Sequence, residues 1–136
     1  MTASRLILIF GLVNLTLLGF LTPMLDGALL AQQDPLFFSW PGVIVIALWG
    51  LAYMASAAQW QLMPGMMAVF AVEKFFFAGR WGWWMSANSG DLGNLMTLDP
   101  MVGLFFSGYG IWDGFCGVVF AVLAIKGMQT SNARPA

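Results

Sequence analysis

The chain has 136 residues, of which 60% are hydrophobic and 8% charged, with a formal net charge of −1. An ordinary soluble domain carries about 25% charged residues, so this chain has too few polar side chains to cover a core in water. The five Lys and Arg residues form no cluster, which excludes a nucleic-acid surface. The absence of histidine excludes His-ligated metals and haem, and the single cysteine, Cys116, excludes an intrachain disulfide. We expect no metal and no cofactor.

The predicted elements are four apolar segments, each close to the roughly 20 residues that cross a bilayer core. In chain order they cover about residues 6–25, 41–58, 62–85 and 101–127. The turn around Gln59 to Gln61 is very short, so the second and third segments should form an antiparallel hairpin. The sequence therefore predicts an all-α fold, with residues 1–128 forming an integral membrane bundle of four antiparallel transmembrane helices. Residues 129–136 are predicted to be a disordered cytoplasmic tail.

The charges outside these segments predict an orientation. The side that holds both termini carries Arg5, Lys126 and Arg134. The opposite connections carry only acids, namely Asp26, Asp34, Asp91 and Asp99. By the positive-inside rule both termini are cytoplasmic, in the inner membrane of a bacterium. The tryptophans near the helix ends are typical of an aromatic belt, and an aromatic cage at the outer face is the alternative. These are Trp40, Trp81, Trp83 and Trp84 outside and Trp60 inside.

Polar residues from all four segments fall at a similar depth near the bilayer centre. Glu73 and Lys74 lie halfway along the third segment, Asp113 halfway along the fourth and Asn14 near the centre of the first, with Tyr53 nearby on the second. Ionisable groups at this depth are costly, so they usually pair with each other or serve a function. We expect these residues to converge on one buried polar, ligand or proton site.

Helix geometry predicts the pairing within this site. Lys74 is too far from either interface to reach water, and adjacent residues diverge by about 100° around a helix. Lys74 should therefore bridge to Asp113, while Glu73 faces Asn14, Tyr53 or a second subunit. Two acids and one base in a low dielectric do not all remain ionised comfortably. We expect Glu73 to hold a proton near neutral pH.

Two further polar residues of the third and fourth segments have predicted partners. Tyr109 lies one turn before Asp113 on the same helix face, so its hydroxyl is expected to donate to that carboxylate. Arg80 is close to the outer end of its helix and is expected to extend outward towards Asp91 or Asp99. Two interpretations of the buried charges stay open: a purely structural tie between helices, or a ligand or proton site.

The fourth segment carries a set of glycines that predicts close helix packing. These are Gly103, Gly110, Gly114 and Gly117. Packing within the chain and dimerisation through the same face are both open. Cys116, on the same segment, is interpreted as a small buried hydrophobe, and a catalytic thiolate is the alternative.

Three short motifs resemble a broad group of small bacterial four-helix membrane proteins that includes the DoxX-like proteins. They are Trp-Gly-Leu-Ala-Tyr at 49–53, Val-Glu-Lys at 72–74 and Trp-Asp-Gly-Phe at 112–115. The resemblance implies a four-helix membrane architecture and little about chemistry. The chain departs from the group in its tryptophan-rich outer segment and its long predicted loop from Ser86 to Asp99.

The leading prediction for function is a non-enzymatic accessory or scaffold subunit that docks through its helices into a larger membrane assembly. The alternative is a small oligomeric proton-coupled transporter, or a lipid- or quinone-binding protein, that uses Glu73. A membrane enzyme that uses the same residues as acid and base is a third interpretation. The expected partners are the lipid bilayer and either other membrane subunits or further copies of the chain, without nucleic acid.

Overall fold

A computed structural model describes residues 2–16 and 27–132 of the chain. Within these ranges the regular structure is entirely helical, which confirms the all-α prediction. The α-helices are α1 (Ala3–Thr16), α2 (Gly27–Gln33), α3 (Pro35–Phe38), α4 (Trp40–Ser56), α5 (Pro64–Asn88), α6 (Leu92–Leu98) and α7 (Pro100–Asn132). Short 3₁₀ turns at Trp60–Leu62 and Ser89–Asp91 flank α5.

Proline and aspartate determine where several helices begin. Proline lies in the first turn of four of them, where its missing N–H costs no hydrogen bond. These prolines are Pro35, Pro41, Pro64 and Pro100. Asp34 caps α3 by accepting a hydrogen bond from the backbone N–H of Leu36, and Asp99 caps α7 by accepting from Met101 and Val102. The Asp-Pro pairs therefore start helices directly.

One helix within the described ranges is both long and apolar enough to cross a membrane, namely α7 over Pro100–Thr130. Helices α1 and α4 are apolar but shorter, with 14 and 17 residues. Helix α5 has 25 residues, but it carries three charged residues, namely Glu73, Lys74 and Arg80. These four helices occupy the predicted apolar segments, although residues 17–25 of the first segment lie outside the described ranges.

The connection between α5 and α7 differs from the prediction. The expected loop from Ser86 to Asp99 contains the end of α5 and all of α6. Burial explains the difference, since Leu95 of α6 packs into an apolar cluster with Trp84 and Phe106. Trp84 is therefore a core residue and not part of an aromatic belt. At the other end, α7 continues to Asn132, into the predicted tail, and residues 133–136 lie outside the described ranges.

The four long helices pack as two pairs, α1 with α4 and α5 with α7. The first pair crosses where Gly11 faces Gly50. A Cβ atom added at Gly11 would lie 2.6 Å from the carbonyl oxygen of Gly50, and one added at Gly50 would lie 2.7 Å from that of Gly11. Only glycine allows this approach of the two backbones.

The predicted glycines of α7 lie at contacts within the chain. An added Cβ atom would come within 3 Å of a neighbour at three of them, namely Gly103 against Met96, Gly110 against Trp81 and Gly117 against Phe75. Gly114 makes only an ordinary contact, at 3.8 Å from Ala78. The three tightly packed glycines are thus covered by α5 and α6, so this face of α7 is not free for a second copy.

Candidate functional site

Lys74 connects α5 to two other helices. Its ammonium donates to Asp113 Oδ1 of α7 at 2.6 Å and to Asn14 Oδ1 of α1 at 3.1 Å. The side chains of Lys74 and Asp113 are 3% and 10% exposed. The amide of Asn14 in turn donates to the backbone oxygen of Ile46 in α4, at 3.2 Å. The expected bridge from Lys74 to Asp113 is present, and the network extends to all four long helices.

Glu73 points away from this network, as adjacent residues on a helix must. Tyr53 of α4 donates its hydroxyl to Glu73 Oε2. The other oxygen, Oε1, is buried and has no hydrogen-bond partner among the residues that the structure describes. Of the partners expected for Glu73, Tyr53 is therefore the one that is found, while Asn14 bonds to Lys74. One buried carboxyl oxygen is therefore left without a hydrogen-bond partner in the described part of the chain.

The expected hydrogen bond from Tyr109 to Asp113 is wrong. The Tyr109 hydroxyl is buried without a partner in the described part of the chain. Long helical side chains point back over the preceding turn, towards the helix N-terminus. The ring of Tyr109 accordingly stacks on Phe105, with centroids 5.1 Å apart, and so extends away from Asp113. Tyr109 and Asp113 do line one small cavity of about 80 Å³, which has room for a few water molecules.

The expected partners of Arg80 are also wrong. Arg80 donates from Nε to Asp34 Oδ2 at 2.9 Å and from Nη2 to Asp34 Oδ1 at 3.3 Å. Its guanidinium also lies 4.5 Å from the centre of the Trp83 ring. Asp34 is fully buried, and a buried carboxylate needs a charged partner more than the exposed Asp91 does. This ion pair attaches the start of α3 to α5.

A wide apolar groove runs between α4 and α5 and ends at α3. Its volume is about 820 Å³, within the range of about 300–1,000 Å³ seen for small-molecule sites. Its walls include Pro35 and Phe37 of α3, Val45 and Trp49 of α4, and Val69 and Phe76 of α5. Glu73 is the one charged residue in the described lining. We call this feature the Glu73 groove.

Helix α3 packs on α4 and is also attached to α5 by ring contacts and an ion pair. The Phe37 ring stacks on the Phe77 ring with their centroids 4.1 Å apart and the planes within 16°. The ion pair between Asp34 and Arg80 holds the residue before α3. One end of the Glu73 groove is therefore attached to the helix that carries Glu73 itself.

Other chemistry has little support in the described ranges. They contain no group of three His, Cys, Asp or Glu side chains that could hold a metal ion. Cys116 is fully buried in the apolar cluster that also contains Phe10 and Phe120. A thiol in that position has no access to a substrate, so Cys116 acts as a small packing residue.

Comparisons with known proteins place the chain in no family. No family model matches the sequence, and no match is found among curated proteins or solved structures. The geometry of the site therefore carries the functional argument.

Proposed function

We propose that the chain is a small multi-pass membrane protein that binds a lipophilic ligand in the Glu73 groove. In this proposal α1, α4, α5 and α7 form an antiparallel bundle of four transmembrane helices in a bacterial inner membrane, with both termini in the cytoplasm. The observation that carries the proposal is the position of Glu73. It is a buried acid with one oxygen that has no hydrogen-bond partner among the described residues, and it lies on the wall of a groove whose described lining is mostly apolar and otherwise uncharged.

The exposed side of α7 supports a lipid environment. Large apolar side chains recur there at helical spacing and leave a continuous uncovered stripe. They are Leu104, Ile111, Phe115, Val118, Val122 and Ile125, each more than half exposed apart from Val122 at 44%. Contiguous apolar surface of this kind is rare on soluble monomers, whereas lipid tails solvate it without cost.

The hydrogen bonds divide the buried charges between two roles. Lys74, Asp113 and Asn14 bond to each other and thereby connect the helices. Among the residues that the structure describes, Glu73 bonds only through Oε2, to Tyr53. Lys74 and Asp113 therefore serve structure in this proposal, and Glu73 is left as the residue for ligand binding.

Groove filling tests the binding function. Val45 lines the groove, so Val45→Trp should occupy much of it. Val118→Trp adds the same side chain to the exposed stripe of α7 and is the matched control. The wild type and each variant would be purified in nanodiscs, and bound small molecules identified by mass spectrometry. We expect a stoichiometric lipophilic compound that is retained in the control and lost from Val45→Trp. An identical set of molecules in all three proteins would refute the proposal.

The proposed orientation has a separate test, which uses the burial of Cys116 to avoid background labelling. Asn94 of α6 and Gln129 of α7 are both exposed. A membrane-impermeant maleimide added to intact spheroplasts should label Asn94→Cys and leave Gln129→Cys unlabelled until the membrane is opened. Labelling of Gln129→Cys in sealed spheroplasts would contradict cytoplasmic termini.

A second candidate function is an accessory subunit of a larger membrane assembly. It is favoured by Leu98, the last residue of α6, which is 73% exposed next to the polar residues Thr97 and Asp99. Burial of this side chain against another subunit would remove its apolar surface from water. Gentle extraction followed by native mass spectrometry tests this candidate. Stoichiometric large subunits that are lost in Leu98→Asn would support it, and a chain found only with copies of itself would refute it.

A further inference from the structure

We infer that the ligand of the Glu73 groove is a lipophilic monocation, and that it binds by displacing a proton from Glu73. This inference rests on the proposed binding function and adds the chemical class of the ligand. It follows from the charges around the groove, from the composition of its walls and from the one unused carboxyl oxygen.

Glu73 has no ion-pair partner of its own among the described residues, because the nearby cation is already paired. The titratable groups packed around it are Tyr53 of α4, Lys74 of α5, and Asp113 and Cys116 of α7. Lys74 is the one cation among them, and its ammonium lies 2.6 Å from Asp113. When both acids are ionised the cluster carries one uncompensated negative charge. A group in this position is stable only with a proton or with a cation from outside.

The lining of the Glu73 groove suits a cation from outside. Its walls are apolar and contain no lysine or arginine among the described residues, so an anionic ligand would meet no favourable charge. Trp49, Phe76 and Phe77 present aromatic rings, which attract cations at their faces. The hydrogen bond from Tyr53 to Oε2 orients the carboxyl group before the ligand arrives, and Oε1 has no partner within residues 2–16 and 27–132.

The exchange is an acid–base step without a change in oxidation state. The O–H bond of the Glu73 carboxyl breaks, its proton leaves to water and the carboxylate forms an ion pair with the incoming cation. The net charge of the site stays at zero, and only the identity of the cation changes. Binding should therefore weaken as the pH falls, because protons compete for the same carboxylate.

The test uses the full chain in nanodiscs and two probes of similar shape. Tetraphenylphosphonium is a lipophilic monocation, and triphenylphosphine oxide is neutral and accepts hydrogen bonds. Calorimetry measures binding, and a pH-sensitive dye in weak buffer measures proton release. We expect tetraphenylphosphonium to bind with about one proton released per cation, and to bind more weakly at lower pH.

Three variants separate the role of Glu73 from effects on folding. Glu73→Gln keeps the shape but cannot release the proton, so tetraphenylphosphonium affinity should fall at least tenfold and proton release should vanish. Glu73→Asp keeps a carboxyl group and should retain proton release at reduced affinity. Asp91→Asn removes an exposed acid and should match the wild type.

The outcomes distinguish this inference from the function on which it rests. Cation binding without proton release, or binding unchanged in Glu73→Gln, overturns the inference. Binding of the neutral oxide alone also overturns it, but leaves a lipophilic-ligand function in place. If neither probe binds to the wild type, the inference falls, while the mass-spectrometry comparison with Val45→Trp decides the binding function separately.

Discussion

Removing one partner of the bridge between Lys74 and Asp113 should destabilise the protein far more than the loss of an ordinary polar contact. At 2.6 Å and an effective dielectric constant of about 20, the attraction between the two charges is about 6 kcal/mol. Desolvation opposes this attraction, but a single substitution leaves the desolvated partner in place without its counter-charge. We therefore expect Lys74→Met and Asp113→Asn each to lower the free energy of unfolding by about 3–5 kcal/mol.

The double variant gives the sharper measurement, because it removes both charges. Lys74→Met with Asp113→Asn should cost much less than the sum of the single variants. Reversible unfolding in mixed micelles of a mild detergent and dodecyl sulfate would give all four free energies. An average interhelical polar contact in a membrane contributes about 0.6 kcal/mol. Single losses near that value that simply add in the double variant would refute the argument for a buried ion pair.

Two further predictions concern helix packing and the groove. Gly50→Ala should lower the free energy of unfolding by about 1–3 kcal/mol, because its Cβ atom would clash with backbone. Gly79→Ala, with nothing within 4 Å, should be neutral or slightly stabilising, and equal effects in the same unfolding assay would contradict this. Arg80→Gln leaves Asp34 buried without its counter-charge, so α3 should detach. Hydrogen exchange of the backbone amides of residues 36–38 should then rise while that of α7 is unchanged, and unaltered exchange would refute the role of the ion pair.

The positions of the long helices and of the central bridge could be predicted because both depend on local regularities. Apolar segment length gives the helices, and counting residues along them gives the depth of Lys74 and Asp113. The divergence of neighbouring residues on a helix then separates Glu73 from Lys74. All of these features follow from regularities along single helices and not from the way in which the chain folds back on itself.

The partners of Arg80 could not be predicted for the opposite reason. Asp34 lies in a connection, and its burial depends on how α2 and α3 fold against α5. The position of Arg80 near the outer end of the third segment pointed to Asp91 and Asp99 instead. Asp34-Pro35 did carry a usable signal, since aspartate followed by proline is a common helix start.

The Glu73 groove likewise has no signature in the sequence. It exists because residues of α3, α4 and α5 line one common space, which depends on tertiary packing. The approach of Gly11 to Gly50 has the same origin, because neither residue belongs to a repeated glycine pattern. Glu73 could be identified from the sequence, whereas the groove beside it is visible only in the structure.

Glu73 and Lys74 are adjacent on one rigid turn of α5, and this has a mechanical consequence. Any rotation of α5 that brings Glu73 closer to an object in the groove turns Lys74 by the same angle relative to Asp113 and Asn14. The ion pair between Lys74 and Asp113 therefore opposes movements of Glu73 and favours its return to the original position. Strain produced at one side of α5 is carried directly to α1 and α7, without an intervening chain of residues.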